Sequence, residues 1–246
     1  MNKNNKYYKK ISVIGAGAWG TALAEVISRQ GSKVNLWARE DSVVNSINTS
    51  NTNDLYLPNI KLSELIIAHK DFSDVLECDL LLMVTPAQFM RPILHDIKDN
   101  LHETIPIVLC SKGIEIETLS LMSEIAEAII PDNPLAVLSG PSFAIDVVNN
   151  KPTAVTLASK DLNIGKNIAD TISLPKFRPY LSEDVIGAQI GGATKNVIAI
   201  AAGVVEGQNL GDSARAATIA RGYSEINRLA VALGLSLIHI SEPTRL

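Results

Sequence analysis

The sequence predicts an α/β fold: a doubly wound parallel sheet followed by an all-helical domain. Short apolar runs alternate with helical patterns from residue 10 to about residue 180. Most of these runs are continuously apolar, as parallel strands covered on both faces by helices require. After Tyr180 the strand signal stops, and two long helical patterns take over.

The elements follow in order. Residues 10–14 read as a buried strand and residues 19–29 as a helix ended by Gly31. Residues 33–38 form a second strand, and Asp41 is placed to cap the helix after it. Strands at 65–69, 80–84 and 106–109 come next, and 135–138, 153–158 and 177–180 extend the sheet. Helices at 119–130 and 162–172 separate them. Ser182 is read as the cap of a helix over 182–205, about 36 Å long. Between Val185 and Val205 its only charge is Lys195. A turn at Asn209-Leu210-Gly211 and a helix over 214–233, closed by Gly234, complete the pattern. The domains are set at 1–181 and 182–234, with a tail over 235–246.

Composition excludes several classes. The 246 residues are 46% hydrophobic and 20% charged, unlike collagen-like, coiled-coil or disordered chains. Twenty-two Lys and Arg face 26 Asp and Glu, so no whole-chain basic field exists for nucleic acid. Lys3, Lys6, Lys9 and Lys10 precede an uncharged stretch over 11–24 that imitates a secretory signal. That stretch is shorter than the about 20 apolar residues of a bilayer span, and three glycines interrupt it. No other segment reads as long and apolar enough to cross a membrane. Cys78 and Cys110 lie far apart, and the histidines lack ligand spacing, which points to a reduced, cytoplasmic setting without a metal.

The first chemical signal is Gly15-Ala16-Gly17-Ala18-Trp19-Gly20, a G-x-G-x-x-G run between a strand and a helix. Gly15, Gly17 and Gly20 allow a tight turn and close approach of the backbone to a pyrophosphate. The following helix offers its free N–H groups to that anion. The second strand ends in Trp37-Ala38-Arg39, where an NAD site usually carries an acid. Arg39 can pair with a 2′-phosphate, which favours NADP or tolerance of both cofactors, unless it is a plain loop arginine. Glu40 and Asp41 follow and can still reach a ribose.

Three further positions carry chemistry. Lys112 follows a strand at its carboxyl end, where it can neutralise a substrate phosphate or steer a carbonyl, or remain a solvated loop lysine. Ser142, in Ser139-Gly140-Pro141-Ser142-Phe143-Ala144, can cap the next helix and donate to a ligand. Lys195 stands among Gly191, Gly192, Ile198 and Ala199, where lost hydration and a nearby cation such as Lys112 lower a lysine pKa. The alternative is a lysine whose head snorkels to water. Asn196 either fixes a substrate or cofactor amide or satisfies backbone groups. Asp212, Arg215, Arg221 and Glu225 are read as ordinary helix-surface ion pairs, and no G-x-S-x-G elbow supports hydrolase chemistry.

The glycine run with Thr21-Ala22-Leu23, Ser111-Lys112-Gly113, Leu138 through Ala144, Ala193-Thr194-Lys195-Asn196, Asn209 through Ala217 and Arg221-Gly222 together resemble the bacterial NAD(P)-dependent glycerol-3-phosphate dehydrogenases. The resemblance covers residues 11–234. It implies a Rossmann-like cofactor domain joined to a helical substrate domain. It further implies interconversion of dihydroxyacetone phosphate and sn-glycerol 3-phosphate with NADP or NAD, supplying glycerol 3-phosphate for phospholipids. The matching residues make Lys195 the proton acceptor and place Lys112 against both substrate and cofactor. Gly140 and Ser142 then bind substrate, and Trp19, Arg39 and Ala144 bind cofactor. The implied partner is a small phosphorylated molecule, not a nucleic acid or a membrane, and a homodimer is one allowed assembly. A related hydroxy-acid dehydrogenase would share the fold but need a carboxylate-binding arginine.

The resemblance breaks after Gly234. The family continues through a G-L-G-D-L-type motif and an S-R-N motif, whereas this chain reads Leu235-Ser236-Leu237-Ile238-His239-Ile240-Ser241-Glu242-Pro243-Thr244-Arg245-Leu246. The string looks like a translated sequencing adapter, so the expectation is a truncated gene fragment with a non-native tail. Such a fragment would leave its helical domain incomplete, with part of its core uncovered. It could bind cofactor without turning over.

Overall fold

Strand β1 (Ile11–Ile14) is the hub of an eight-stranded sheet in the computed structural model, which describes residues 8–234. From it the chain runs through helix α1 (Ala18–Ser28), β2 (Val34–Trp37) and α2 (Asp41–Ser50) to a hairpin of β3 (Thr52–Asn53) and β4 (Leu57–Lys61). Then come β5 (Ile66–His69), α3 (Ser73–Leu76), β6 (Leu80–Met83), α4 (Met90–Ile97), β7 (Ile107–Leu109) and α5 (Met122–Ile129). The sheet is completed by β8 (Leu135–Ser139), α6 (Ala144–Val148), β9 (Thr153–Ser159), α7 (Leu162–Ile172) and β10 (Phe177–Ser182). Helices α8 (Val185–Gly207) and α9 (Asp212–Ala232) follow and pack on each other.

The strand order is β10-β9-β8-β7-β6-β1-β2-β5. The chain moves outward from β1 to β2, then crosses to β6 on the other side. That reversal opens a crevice at the carboxyl ends of β1 and β6, where ligands sit in such sheets. All pairings in this sheet are parallel except one. Strands β8 and β9 are antiparallel, with Ala136 opposite Ser159 and Ser139 opposite Thr156, which corrects the expectation of a wholly parallel sheet. The continuous apolar runs could not reveal this, because a strand buried on both faces reads the same in either direction.

Burial explains those runs. Along β6, Leu80 and Leu82 enter one core layer and Leu81 and Met83 the other, all fully buried. Helices α1, α2 and α7 cover the first face through Leu23, Ile27, Ile47 and Ile168. Helices α4 and α5 cover the second through Met90, Leu94, Met122 and Ile125. Each such side chain, removed from water, contributes about 1.5–3 kcal/mol before the entropy of ordering it is subtracted.

Several local expectations change. Asp41 is the first residue of α2 rather than its cap; Glu40 holds that position without a side-chain capping bond. Ser182 ends β10, and α8 is capped by Asp184, whose Oδ1 accepts from the Gly187 N–H at 2.7 Å. Ser142 does not cap α6, because Phe143 occupies the N-cap. The hairpin and helices α3 and α4 were not foreseen, none of their elements being longer than eight residues. The expected tail over 235–246 lies outside the described residues.

Helix α8 also overturns the expectation that no segment is apolar enough to cross a membrane. By length and composition it qualifies, with a mean hydropathy of 1.3 over its most apolar window. Its first half instead packs on the sheet layer through Val185 and Gly192, while Ile190 packs with Leu121 and with Ala230 of α9. The Gln189 side chain holds Ser123 of α5, accepting from its N–H and donating to its Oγ, both at 2.9 Å.

Candidate active site

The loop after β1 is shaped by contacts that no side chain could make. Gly15 has φ +117°, and a Cβ there would stand 2.6 Å from the Val84 carbonyl oxygen. A Cβ on Gly20 would lie 1.8 Å from the Gly15 carbonyl oxygen, so α1 and the loop close on each other only because Gly20 is bare. Gly17 differs: nothing lies within 4 Å of where its Cβ would be. It is the N-cap of α1 and makes no side-chain bond, so the first N–H groups of the helix face open space.

Asn53, from the unforeseen hairpin, holds this loop from behind. It is buried, and its Nδ2 donates to the Ala16 carbonyl at 2.9 Å and to Thr21 Oγ1 at 2.8 Å. Thr21 Oγ1 in turn donates to the Ala16 carbonyl at 3.3 Å.

A cavity of about 550 Å³ opens over the loop. Gly15, Gly17, Trp19, Gly20, Arg39, Lys112, Ser142 and Ala144, named from sequence, all line it. Trp19 Nε1 and Ser142 Oγ are buried without a hydrogen-bond partner among the described residues, as is Thr85 Oγ1 at the same wall. An unpaired buried donor costs about 1–3 kcal/mol, so these groups suit a polar ligand. At the far end, Arg39 pairs with Glu40 at 3.0 Å, and the Tyr56 hydroxyl donates to the same carboxylate at 3.2 Å.

At the other end two lysines meet. Lys112 Nζ donates to the Gly140 carbonyl at 2.9 Å, and Lys195 Nζ donates to the same oxygen at 3.0 Å. Burial, then the neighbouring Lys195 charge, lowers the Lys112 pKa to about 8. Lys112 Nζ also sits 5.7 Å from the centre of the Trp19 ring. Lys195 reaches the oxygen because α8 comes very close to the sheet: a Cβ on Gly192 would lie 2.5 Å from Ser139 Oγ. With bare Gly191 and Gly192, a second space of about 230 Å³ opens beside Lys195 and Gly140.

The loop bearing Lys112 is tied down on its outer side. Arg91 forms a two-point pair with Glu115, at 2.8 and 2.7 Å. Arg91, and then a bond from the Thr118 hydroxyl, hold the Glu115 carboxyl near 2. Gln88 clamps the backbone, donating to the Ile114 carbonyl at 2.9 Å and accepting from the Ile116 N–H at 3.0 Å. Sequence reasoning missed Asn53, Tyr56, Gln88, Arg91 and Glu115. Of these only Glu115 lies next to a motif named from sequence, Ser111-Lys112-Gly113; the others are far from any motif, so nothing local singles them out. Asn196 is exposed and lines neither space.

Comparison with known proteins agrees along nearly the whole length. A family profile described as NAD-dependent glycerol-3-phosphate dehydrogenase N-terminus matches residues 10–165, and the corresponding C-terminus profile matches residues 184–243. The glycerol-3-phosphate dehydrogenase [NAD(P)+] of Parvibaculum lavamentivorans is 51% identical over 227 residues, 92% of this chain and 68% of that protein. The enzyme of the same name from Caulobacter vibrioides is also 51% identical, over 92% of this chain and 69% of its own. The crystal structure of glycerol-3-phosphate dehydrogenase from Coxiella burnetii superposes with a TM-score of 0.89 at 35% identity, covering 96% of this chain and 73% of that one. A sheet with its crevice at β1 and β6, bare glycines beneath a cavity and Lys112 in its wall thus accompany close sequence kinship, and the chain belongs to the NAD-dependent glycerol-3-phosphate dehydrogenase family.

Proposed function

We propose that this chain interconverts dihydroxyacetone phosphate and sn-glycerol 3-phosphate with NAD(P)H and NAD(P)+, in the cytoplasm, supplying glycerol 3-phosphate for phospholipid synthesis. The observation that carries this is the meeting of Lys112 and Lys195 on one carbonyl oxygen beside the glycine loop.

The residues fit a dinucleotide. Gly17 and the first N–H groups of α1 would hold the pyrophosphate and Arg39 the adenosine ribose, while Trp19 and Ala144 line the same cavity as Lys112. When bound, the nicotinamide supplies or accepts the hydride. Everything else falls to the chain. Lys112 and the unpaired Ser142 hydroxyl hold the phosphorylated three-carbon substrate, with Gly140 giving backbone contact. Lys195, charged, donates a proton to the oxygen of the reduced carbonyl; in the reverse direction, neutral, it accepts the hydroxyl proton. Hydride to carbon and proton to oxygen together balance ketone and alcohol. The buried free thiols Cys78 and Cys110 are compatible with a reducing compartment.

The test is oxidation of NADH and NADPH with dihydroxyacetone phosphate, compared between the chain and its Lys195→Met variant. Turnover is expected to fall by at least about 1,000-fold while cofactor affinity stays within about twofold. Undiminished turnover by Lys195→Met ends the assignment. Cofactor binding with no turnover by the unaltered chain reduces the function to binding alone.

A further inference from the structure

The adenosine end of the cavity holds two opposed recognition groups on consecutive residues. Arg39 suits a 2′-phosphate and Glu40 suits a free 2′-hydroxyl. They are joined: Arg39 Nε and Nη2 donate to Glu40 Oε1 at 3.2 and 3.0 Å. The Tyr56 hydroxyl donates to that same oxygen at 3.2 Å from the hairpin, and the hairpin is anchored to the glycine loop through buried Asn53. The remaining nearby cation, Lys70, is engaged with Asp41 at 3.0 Å and with the Arg39 carbonyl. Although burial pushes the Glu40 carboxyl up, its bonds from Arg39 and Tyr56 hold it below the usual range, so it is ionised at neutral pH.

We infer that Glu40 is a specificity-determining residue, occupying Arg39 and thereby limiting how strongly this chain prefers a 2′-phosphorylated dinucleotide. The inference rests on the cofactor reading above. A 2′-phosphate must draw Arg39 away from Glu40 and lie beside a carboxylate that does not leave. A free 2′-hydroxyl meets the carboxylate as an acceptor and leaves the ion pair intact. Tyr56 acts at one remove, steering Glu40 toward the guanidinium.

The experiment measures binding, not turnover. Dissociation constants of NADH and NADPH are determined by calorimetry, without substrate, for the chain and for Glu40→Gln. The NADPH-over-NADH affinity ratio is expected to rise about tenfold, the effect of one charge-assisted contact from a freed Arg39 to the 2′-phosphate. Adding Arg39→Gln to that variant should remove most of the gain. An unchanged ratio, with both cofactors bound, overturns the inference and leaves the cofactor reading standing. A gain that survives Arg39→Gln in full overturns the restraint of Arg39 by Glu40. A chain that binds neither dinucleotide overturns the cofactor reading and the inference with it.

Discussion

Lys112 and Lys195 donate to one acceptor, the Gly140 carbonyl oxygen, at 2.9 and 3.0 Å. Neither is in a salt bridge among the described residues. Two cations held this close repel, and a single neutral oxygen compensates only part of that repulsion. The pair is therefore set up to receive an anion or a developing oxyanion.

The depressed Lys112 pKa makes stability depend on pH. Its folded value, about 8, lies below its ordinary value of 10.5. Between these the folded state binds fewer protons than the unfolded one, so stability rises with pH across that window and levels off above it. Below about pH 8 the cost of the charged, partly buried lysine is present in full. Urea midpoints from pH 7 to 10.5 should climb for the natural chain relative to Lys112→Met, and parallel curves would contradict the shift. Because Lys195 contributes to the depression, Lys195→Met should move the Lys112 titration upward.

Gly17 and Gly20 should separate binding from folding. Gly17→Ala adds a methyl to open space at an extended backbone position, so the melting temperature should stay within about 2 °C. That methyl stands where a pyrophosphate must approach, and NADH affinity should drop at least tenfold. Gly20→Ala forces a Cβ onto the Gly15 carbonyl oxygen and should cost more than about 3 kcal/mol of stability. Equal thermal destabilisation of the two variants would refute the distinction.

Asn53→Ala removes two donated bonds from a buried site, one to Thr21 Oγ1 and one to the Ala16 carbonyl, which keeps only its 3.3 Å bond from Thr21. The expected loss is about 1–3 kcal/mol. Dinucleotide affinity should weaken several-fold, because the loop loses its rear support. Unaltered affinity would show that the loop holds its shape without the hairpin.

Some of this was legible in the residues. Helix α7 was read with the bounds it has, because an apolar stripe of helical period ends cleanly at Ser173. The glycine loop was readable because its requirement is local: a positive φ at Gly15 and a bare Gly20 one helical turn away. Lys195 stood out as the single charge between Val185 and Val205. Asn53 did not, because a polar residue in a short hairpin carries no pattern until the loop it supports is beside it.

The sequence by itself determined the strands of the main sheet and the longer helices, where the backbone must be bare, and which lysines are unusual. Those properties depend on neighbours a few residues away along the chain. Only the tertiary structure decided that β9 runs against β8, that Glu40 and Tyr56 close around Arg39, and that lysines from two distant elements reach one oxygen. Gly140 and Lys195 are 55 residues apart in the chain. Their meeting follows from packing α8 onto the sheet at Gly192, a contact between surfaces that no local periodicity encodes.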